Sequence, residues 1–382
     1  MRVTRAAFRY RRNYALAVAA ERAAPALRAA SRVLSRGPST DPTSWRRGLI
    51  IGHSHVGDVL YRTCSLEQLK AGLPDCSWDY LTSRSSEPIL RDNPALNAVL
   101  PFTLGDDSSY VAAGSFEDLW QAQYDVVICT NTVRHLDDFV RAVMLGIPNR
   151  VGFGDKGYSG LLTLPVATAY PQPLAGYFRT LVGAVIGKKP DWPLQPRVYP
   201  SESDWERADA CLGGLRLDPS LPTIACAATT RQLVGAWSTA FFGDVLSRFL
   251  RERAANVVLF GAALDAPILH DIATSLPSPV HVVAGELAWL EFAEVLRRCD
   301  VLLTMDSGPR HLANAVGTPV AFARNLSFAR VEAGAYCANE VDLAPAEAEG
   351  TIDRDIQLLV RSTSFVERAV EVLLELVSRS RG

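Results

Sequence analysis

Leu303-Thr304-Met305-Asp306-Ser307-Gly308-Pro309-Arg310-His311-Leu312-Ala313-Asn314-Ala315 is a strand that stops, a turn, and a helix that starts. The apolar residues 301–304 suit a strand buried on both faces. Asp306-Ser307-Gly308 carries turn chemistry. Pro309 stands where a missing N–H costs nothing, in the first turn of a helix. The amides of Ser307, Gly308 and their neighbours then point outward with the helix dipole behind them, which suits an anion. Arg310 and His311 fall on that first turn and can add charge or a hydrogen bond to a phosphate. An ordinary helix capped by Asp306 accounts for the same residues without a ligand.

The same rhythm runs outward from this stretch. Strands are expected at residues 223–227, 256–260, 280–284 and 319–322, and a helix over 289–299 that brings Leu290, Ala293, Leu296 and Val295 or Cys299 to one face at 3.6-residue spacing. An earlier series has strands at 48–52, 78–81, 97–100 and 125–129, a helix over 59–71 and a helical pattern at 139–145. Strands alternating with helices mean parallel sheets covered on both faces. Pro190, Pro193, Pro196 and Pro200 mark 188–203 as a linker. Ser201-x-x-Asp204 then reads as a helix-starting cap box. The expected class is α/β, with two Rossmann-like doubly wound domains facing a cleft. The expected divisions are an Arg-rich extension (1–47), an N-terminal domain (48–187), the linker (188–203), a C-terminal domain (204–362), and a closing helix (363–382) opening at Ser364-x-x-Glu367.

Composition narrows the function. The 382 residues are 48% hydrophobic and 21% charged, with a formal net charge of −2, so the chain can build real cores. It lacks the basic excess of a nucleic-acid binder, and no nucleic-acid partner is expected. Seven scattered cysteines form no CxxC pair and read as free thiols in a reducing compartment. No stretch reaches the ~18 apolar residues needed to span a bilayer. Residues 1–36 nevertheless carry nine arginines against a single acid, Glu21. That pattern fits a basic amphipathic helix on an anionic membrane surface, or a solvated extension. The expected location is cytoplasmic, peripheral on the inner face of the cytoplasmic membrane.

Two further stretches carry chemistry. Thr229-Thr230-Arg231 follows the strand at 223–227, where two hydroxyls and a guanidinium suit a pyrophosphate or form a plain polar loop. His53-Ser54-His55-Val56-Gly57-Asp58 closes the first strand, and Asp58 is a general base or the N-cap of the next helix. The H-x-H-x-x-D spacing suggests metal ligands, but the other histidines (135, 270, 281, 311) are remote in sequence, so no metal is expected. Asp353-Arg354-Asp355 is read as solvated surface.

In this order the pieces resemble glycosyltransferase family 9, the heptosyltransferases, over residues 48–377. The N-terminal signature is IIGHSHVGDVLYRTCSLEQLKAGLPD, and the more specific C-terminal one is MDSGPRHLANAVGTP after FAEVLRRCDVLLT. Thr229-Thr230-Arg231, Trp237 and Phe260-Gly261 stand between them in family order. The resemblance implies a B-type glycosyltransferase fold and an inverting, metal-independent reaction with no cofactor. It implies a nucleotide-diphosphate sugar such as ADP-heptose as donor and a hydroxyl of a cell-envelope glycan or glycolipid, as in lipopolysaccharide biosynthesis, as acceptor. It makes Asp58 the general base, next to Gly57. It makes Asp306, Ser307, Gly308 and His311 the holders of the diphosphate, faced by Thr229, Thr230 and Arg231, with Arg310 and Trp237 as further candidates.

The chain departs from the family pattern at three places. Gly235 stands where a phosphate-site lysine is usual, and Ala263 where an acid near the ribose is usual, with Asp265 close by. Arg324-Asn325-Leu326-Ser327 replaces a Gly-Pro-Thr loop. Besides a transferase, these departures leave open a non-catalytic binder of nucleotide or glycan, or a nucleotide-sugar epimerase or hydrolase on the same architecture.

Overall fold

The computed structural model describes residues 41–52, 55–104, 110–112, 116–130, 142–156, 159–169, 171–231, 237–277, 280–344 and 363–381, with isolated positions before 41. The chain divides into two compact units, residues 1–194 and 195–382, and the division falls inside the proline-rich segment 188–203.

In the first unit, β1 (Arg47–Ile51) leads into α1 (Val56–Arg62), a 3-10 turn (Thr63–Ser65) and α2 (Leu66–Gly72). β2 (Ser77–Ser83), β3 (Ala98–Leu104), β4 (Tyr110–Ala112), β5 (Val126–Cys129), β6 (Asn149–Phe153) and β7 (Leu164–Val166) follow, and α3 (Leu174–Ile186) closes the unit. The sheet order is β4-β3-β2-β1-β5-β6-β7, parallel except for β4 against β3. The single helix expected over 59–71 is broken at Thr63-Cys64-Ser65. The Thr63 hydroxyl donates to the Leu60 carbonyl at 2.6 Å, a local bond that competes with the helical ladder.

In the second unit, α4 (Glu202–Gly214) opens on a full capping box of Ser201 and Asp204. Then come β8 (Thr223–Ala227), α5 (Thr239–Glu252), β9 (Asn256–Gly261), α6 (Ala266–Thr274), β10 (His281–Ala284), α7 (Trp289–Arg297), β11 (Val301–Met305), α8 (Gly308–Val316), β12 (Val320–Ala323), β13 (Glu340–Asp342) and α9 (Thr363–Ser380). The order β10-β9-β8-β11-β12-β13 is parallel throughout. α9 packs on α5 and belongs to the core of this unit through Val366, Val370, Leu373 and Val377. α7 buries Leu290, Ala293, Val295 and Leu296, the face its spacing predicted.

Both sheets reverse direction of growth beside their first strand, between β1 and β5 and between β8 and β11. Such switch points open a crevice at the carboxyl ends of the strands.

Strands β4, β6, β7 and β13 carry no apolar run long enough to announce them. β6 begins Asn149-Arg150, and the buried Arg150 guanidinium is satisfied by the carbonyls of Leu161 at 2.7 Å and Ile147 at 2.5 Å. β7 is a three-residue edge strand holding Pro165, tolerated where no neighbour needs its N–H. β13 contains two acids, Glu340 and Asp342, each buried against an arginine.

Candidate functional site

The richest junction lies between β11 and α8. β11 is buried along its whole length, and its end is fixed by the Asp306 amide donating to the Ala323 carbonyl at 3.0 Å. Ser307, in extended backbone, is the N-cap of α8, so the cap expected of Asp306 falls one residue later. The Ser307 side chain makes no cap hydrogen bond; its hydroxyl donates backward to the Met305 carbonyl at 3.3 Å. Pro309 has no N–H, and neither the Ser307 nor the Gly308 amide finds a backbone acceptor among the described residues. These amides and the positive end of the helix dipole form a candidate seat for an anion.

Arg310 does not serve that seat. It is 1% exposed and all five of its N–H groups are taken within the protein. Nε donates to Glu340 at 2.7 Å, Nη1 to Asp306 at 2.7 Å and Ala333 at 2.9 Å, and Nη2 to Gly334 at 2.7 Å and Glu340 at 3.1 Å. The guanidinium carbon also lies 3.5 Å from the centroid of Phe322. The expectation that Arg310 contacts a phosphate is corrected: it is the tie that holds the start of α8 to β13. Glu340 is the residue that sequence reasoning missed. Besides Arg310 it accepts from Asn314 Nδ2 at 2.9 Å and from the amides of Tyr336 at 2.6 Å and Cys337 at 3.0 Å. Burial pushes the Glu340 carboxyl up, but Arg310, Asn314 and the Tyr336 amide together hold it below the usual carboxylate value.

His311 presents a different edge. It is 8% exposed, its Nδ1 lies 2.6 Å from the hydroxyl of Tyr336, and the two rings stack 5.6 Å apart at 29°. Burial, with Cys337 and the Glu340 carboxylate close by, pushes the Tyr336 phenol well above the usual tyrosine range against the pull of Arg310, so it keeps its proton.

The neighbouring loop follows β8. The Thr304 hydroxyl donates across to the Ala227 carbonyl at 3.1 Å, locking the two strand ends together. Ala228 is buried, Thr229 and Thr230 are half-buried and Arg231 is exposed. Thr229 Oγ1 donates to Asp265 Oδ2 at 2.9 Å, and that oxygen also accepts the Ala262 amide at 2.9 Å. The hydroxyl proton expected to face a diphosphate is therefore directed at Asp265. Gly235 lies outside the described residues. Trp237 is core: 3% exposed, it donates Nε1–H to the Arg324 carbonyl at 2.9 Å and meets Phe241 edge-to-face at 4.8 Å. Arg324, in place of the Gly-Pro-Thr loop, is buried against Asp342 at 2.9 Å and the Phe328 carbonyl at 2.8 Å.

Asp58 belongs to the first unit. The N-cap of α1 is His55, Gly57 is the second helical residue and Asp58 the third, half-buried, so the capping alternative for Asp58 falls away. The hydroxyl of Tyr61, one turn on, donates to Asp58 Oδ1. Below them lies Arg62, 2% exposed, its guanidinium 5.4 Å from the Tyr61 ring. Burial and then Asp58 push the Tyr61 phenol well above its usual range while Arg62 opposes them, and burial pushes the neighbouring Tyr80 phenol up to about 12. Tyr80 also explains Gly52, because a Cβ there would sit 2.1 Å from the Tyr80 ring.

Among the described residues no group of three or more His, Cys, Asp or Glu is placed to hold a metal ion. His53, Ser54 and the Asp353–Asp355 stretch lie outside them, as do most of residues 1–36. No described helix is long and apolar enough to cross a membrane.

Known proteins resemble the chain in both sequence and fold. Residues 115–321, more than half of it, match the family described as glycosyltransferase family 9 (heptosyltransferase). Lipooligosaccharide heptosyltransferase 2 of Haemophilus influenzae is 26% identical over 305 residues, covering 71% of this chain and 81% of that protein. Among solved structures, a family 9 glycosyl transferase of Veillonella parvula is similar with a TM-score of 0.72 at 16% identity, covering 90% of this chain and all of that one. The E. coli ADP-heptose lipopolysaccharide heptosyltransferase II is similar with a TM-score of 0.69 at 20% identity, covering 88% of this chain and all of that one.

Proposed function

The chain belongs to glycosyltransferase family 9, and on that premise we propose that it transfers heptose from ADP-heptose to a hydroxyl of a lipopolysaccharide-type acceptor, with inversion and without a metal. The glycosyltransferase architecture is that of its structural relatives; the donor and acceptor are read from the names of those relatives. The observation that carries the donor reading is the seat at α8, where the Ser307 and Gly308 amides lack backbone acceptors and His311 stands on the same first turn. A diphosphate leaving group gathers negative charge as the glycosidic bond breaks, and preorganised N–H donors stabilise that charge as a metal otherwise would. Thr230 and Arg231 on the adjoining β8 loop add a hydroxyl and a cation.

In the reaction the acceptor oxygen attacks the anomeric carbon from the face opposite the diphosphate. The bond to the β-phosphate oxygen breaks with its electron pair, and the acceptor proton passes to Asp58. One displacement inverts the anomeric centre and needs no enzyme nucleophile. Tyr61, donating to Oδ1, orients the Asp58 carboxylate for that proton. Residues 1–36 are proposed to hold the protein on the cytoplasmic face of the membrane, which co-sedimentation with anionic vesicles against a chain starting at Gly48 tests.

A non-catalytic nucleotide binder is the second reading, favoured by the internal commitment of Arg310 and by Gly235. Thermal shift with ADP, GDP, UDP, CDP and dTDP in EDTA, with His311→Ala as control, tests the donor site. Stabilisation by ADP that His311→Ala loses is expected; no shift with any diphosphate contradicts the reading. Release of ADP from ADP-heptose only when acceptor is present separates a transferase from a binder and from a hydrolase.

A further inference from the structure

We propose that Arg62 is the positioning residue of the base, a buried cation beside the Tyr61 ring that keeps the Asp58 carboxylate ionised and ready to take the acceptor's proton. The inference rests on the base reading above for its part in transfer, while the hold on the charge is a property of the protein alone. Arg62 follows Asp58 by four residues, so both stand on one face of α1. Tyr61 connects them: its hydroxyl donates to Asp58 Oδ1, and its ring centroid lies 5.4 Å from the guanidinium carbon of Arg62.

Arg62 is 2% exposed, has no ion-pair partner among the described residues, and leaves Nη1 without a hydrogen bond there. Its other aromatic neighbour is Tyr80 of β2. Burial pushes the Tyr61 phenol well above its usual range and the Tyr80 phenol up to about 12, so both are neutral at physiological pH. Asp58 is then the anion that acts on the guanidinium. The elements packed on α1 also carry titratable side chains: Tyr177 and Arg179 on α3, Cys64 in the 3-10 turn, and Glu87 on the short helix Glu87–Leu90. Arg179 is engaged by the Trp192 carbonyl at 2.5 Å, and the strongest charges acting on Tyr61 and Arg62 come from Asp58, Tyr80 and each other. A cation favours the charged form of a carboxylate near it, and burial spares that attraction from screening by water and salt. Once Asp58 takes the acceptor's proton, Arg62 is left as a buried charge without its anion. That favours passing the proton on to water and resets the base.

The test uses the full-length protein labelled with 13C at the aspartate carboxyls and titrated from about pH 8 to about pH 4.5, where carbon spectra report protonation. The Asp58 signal is identified by its loss in Asp58→Asn. In Arg62→Met the Asp58 midpoint is expected about one pH unit above wild type, and the acid limb of kcat/KM is expected to move with it. Arg62→Lys keeps the cation and is expected to keep the wild-type midpoint, and Arg62→Gln serves as a second neutral variant should Arg62→Met not fold. An unmoved midpoint in a folded neutral variant overturns the proposal, as does an equal shift in Arg62→Lys. A wild-type Asp58 that is already protonated at about pH 6 overturns it without any substitution. A shifted midpoint together with a transfer rate untouched by Asp58→Asn contradicts the base reading and supports the hold of Arg62 on the carboxylate.

Discussion

Each unit places an aspartate four residues before an arginine near the start of a helix, and the two pairs are used differently. At α8, Asp306 receives Arg310 at 2.7 Å, and Glu340 completes the cage around the guanidinium. At α1, Asp58 receives the hydroxyl of Tyr61 instead, and Arg62 lies buried with its Nη1 lacking any hydrogen-bond partner among the described residues. The Asp–Arg spacing is identical, so that spacing alone does not decide the outcome; Asp306 precedes its helix, whereas Asp58 is the third residue of α1. What decides it is the third partner, an acid on a distant strand in one unit and a phenol on the same helix in the other. A carboxylate committed to a cation inside the protein is a structural part. The Tyr61 hydroxyl is a neutral donor to Asp58, which is compatible with the base role proposed for that carboxylate.

That contrast can be broken by substitution. The largest effect is expected at Glu340: Glu340→Ala leaves Arg310 buried with only one of its two acids, Asp306, which costs about 3–5 kcal/mol of unfolding free energy in denaturant titrations. Arg310→Met should cost a similar amount, whereas Arg62→Met should cost less than about 1.5 kcal/mol because no buried acid depends on it alone. Equal losses in the two arginine variants would erase the distinction between the helix starts.

Acid sharpens the same point. Glu340 has its folded-state value lowered, so its stabilising share is fully present above the unfolded carboxylate value of about 4.3. It fades as pH falls through the lower folded value, where the unfolded state takes up the proton more readily. The wild-type denaturation midpoint should therefore drop below about pH 4.3, and Glu340→Gln, already weaker at neutral pH, should show a shallower drop. Smaller effects follow from packing. Gly52→Ala should cost about 1–3 kcal/mol by driving a Cβ into Tyr80, measured by thermal unfolding. Trp237→Phe should cost about 1 kcal/mol, one buried hydrogen bond, and leave ADP affinity within twofold because the indole is core and not ligand.

Much of this was legible in the sequence wherever structure is local. The strand at 223–227, the cap box at Ser201 and the buried face of α7 follow from runs and spacings within one element. The turn at Asp306–Gly308, ahead of α8, is equally local. What stayed hidden depends on partners far along the chain. β6 and β13 look polar until Arg150 finds two carbonyls and Glu340 finds Arg310. Arg310 looked like a phosphate ligand because nothing within its own helix accounts for its five donors. Thr229 looked free to donate because Asp265 lies 36 residues on. Polar residues in a window read as surface or site, and only tertiary contact tells a buried network from an open one.

The most direct test of the account is single-turnover transfer from ADP-heptose by Asp58→Asn, with ADP binding measured by calorimetry on the same preparation. Loss of a general base predicts a rate at least about a hundredfold below wild type, with the ADP dissociation constant within twofold. A transfer rate within about threefold of wild type would contradict the assignment of Asp58 and, with it, the contrast between the two helix starts.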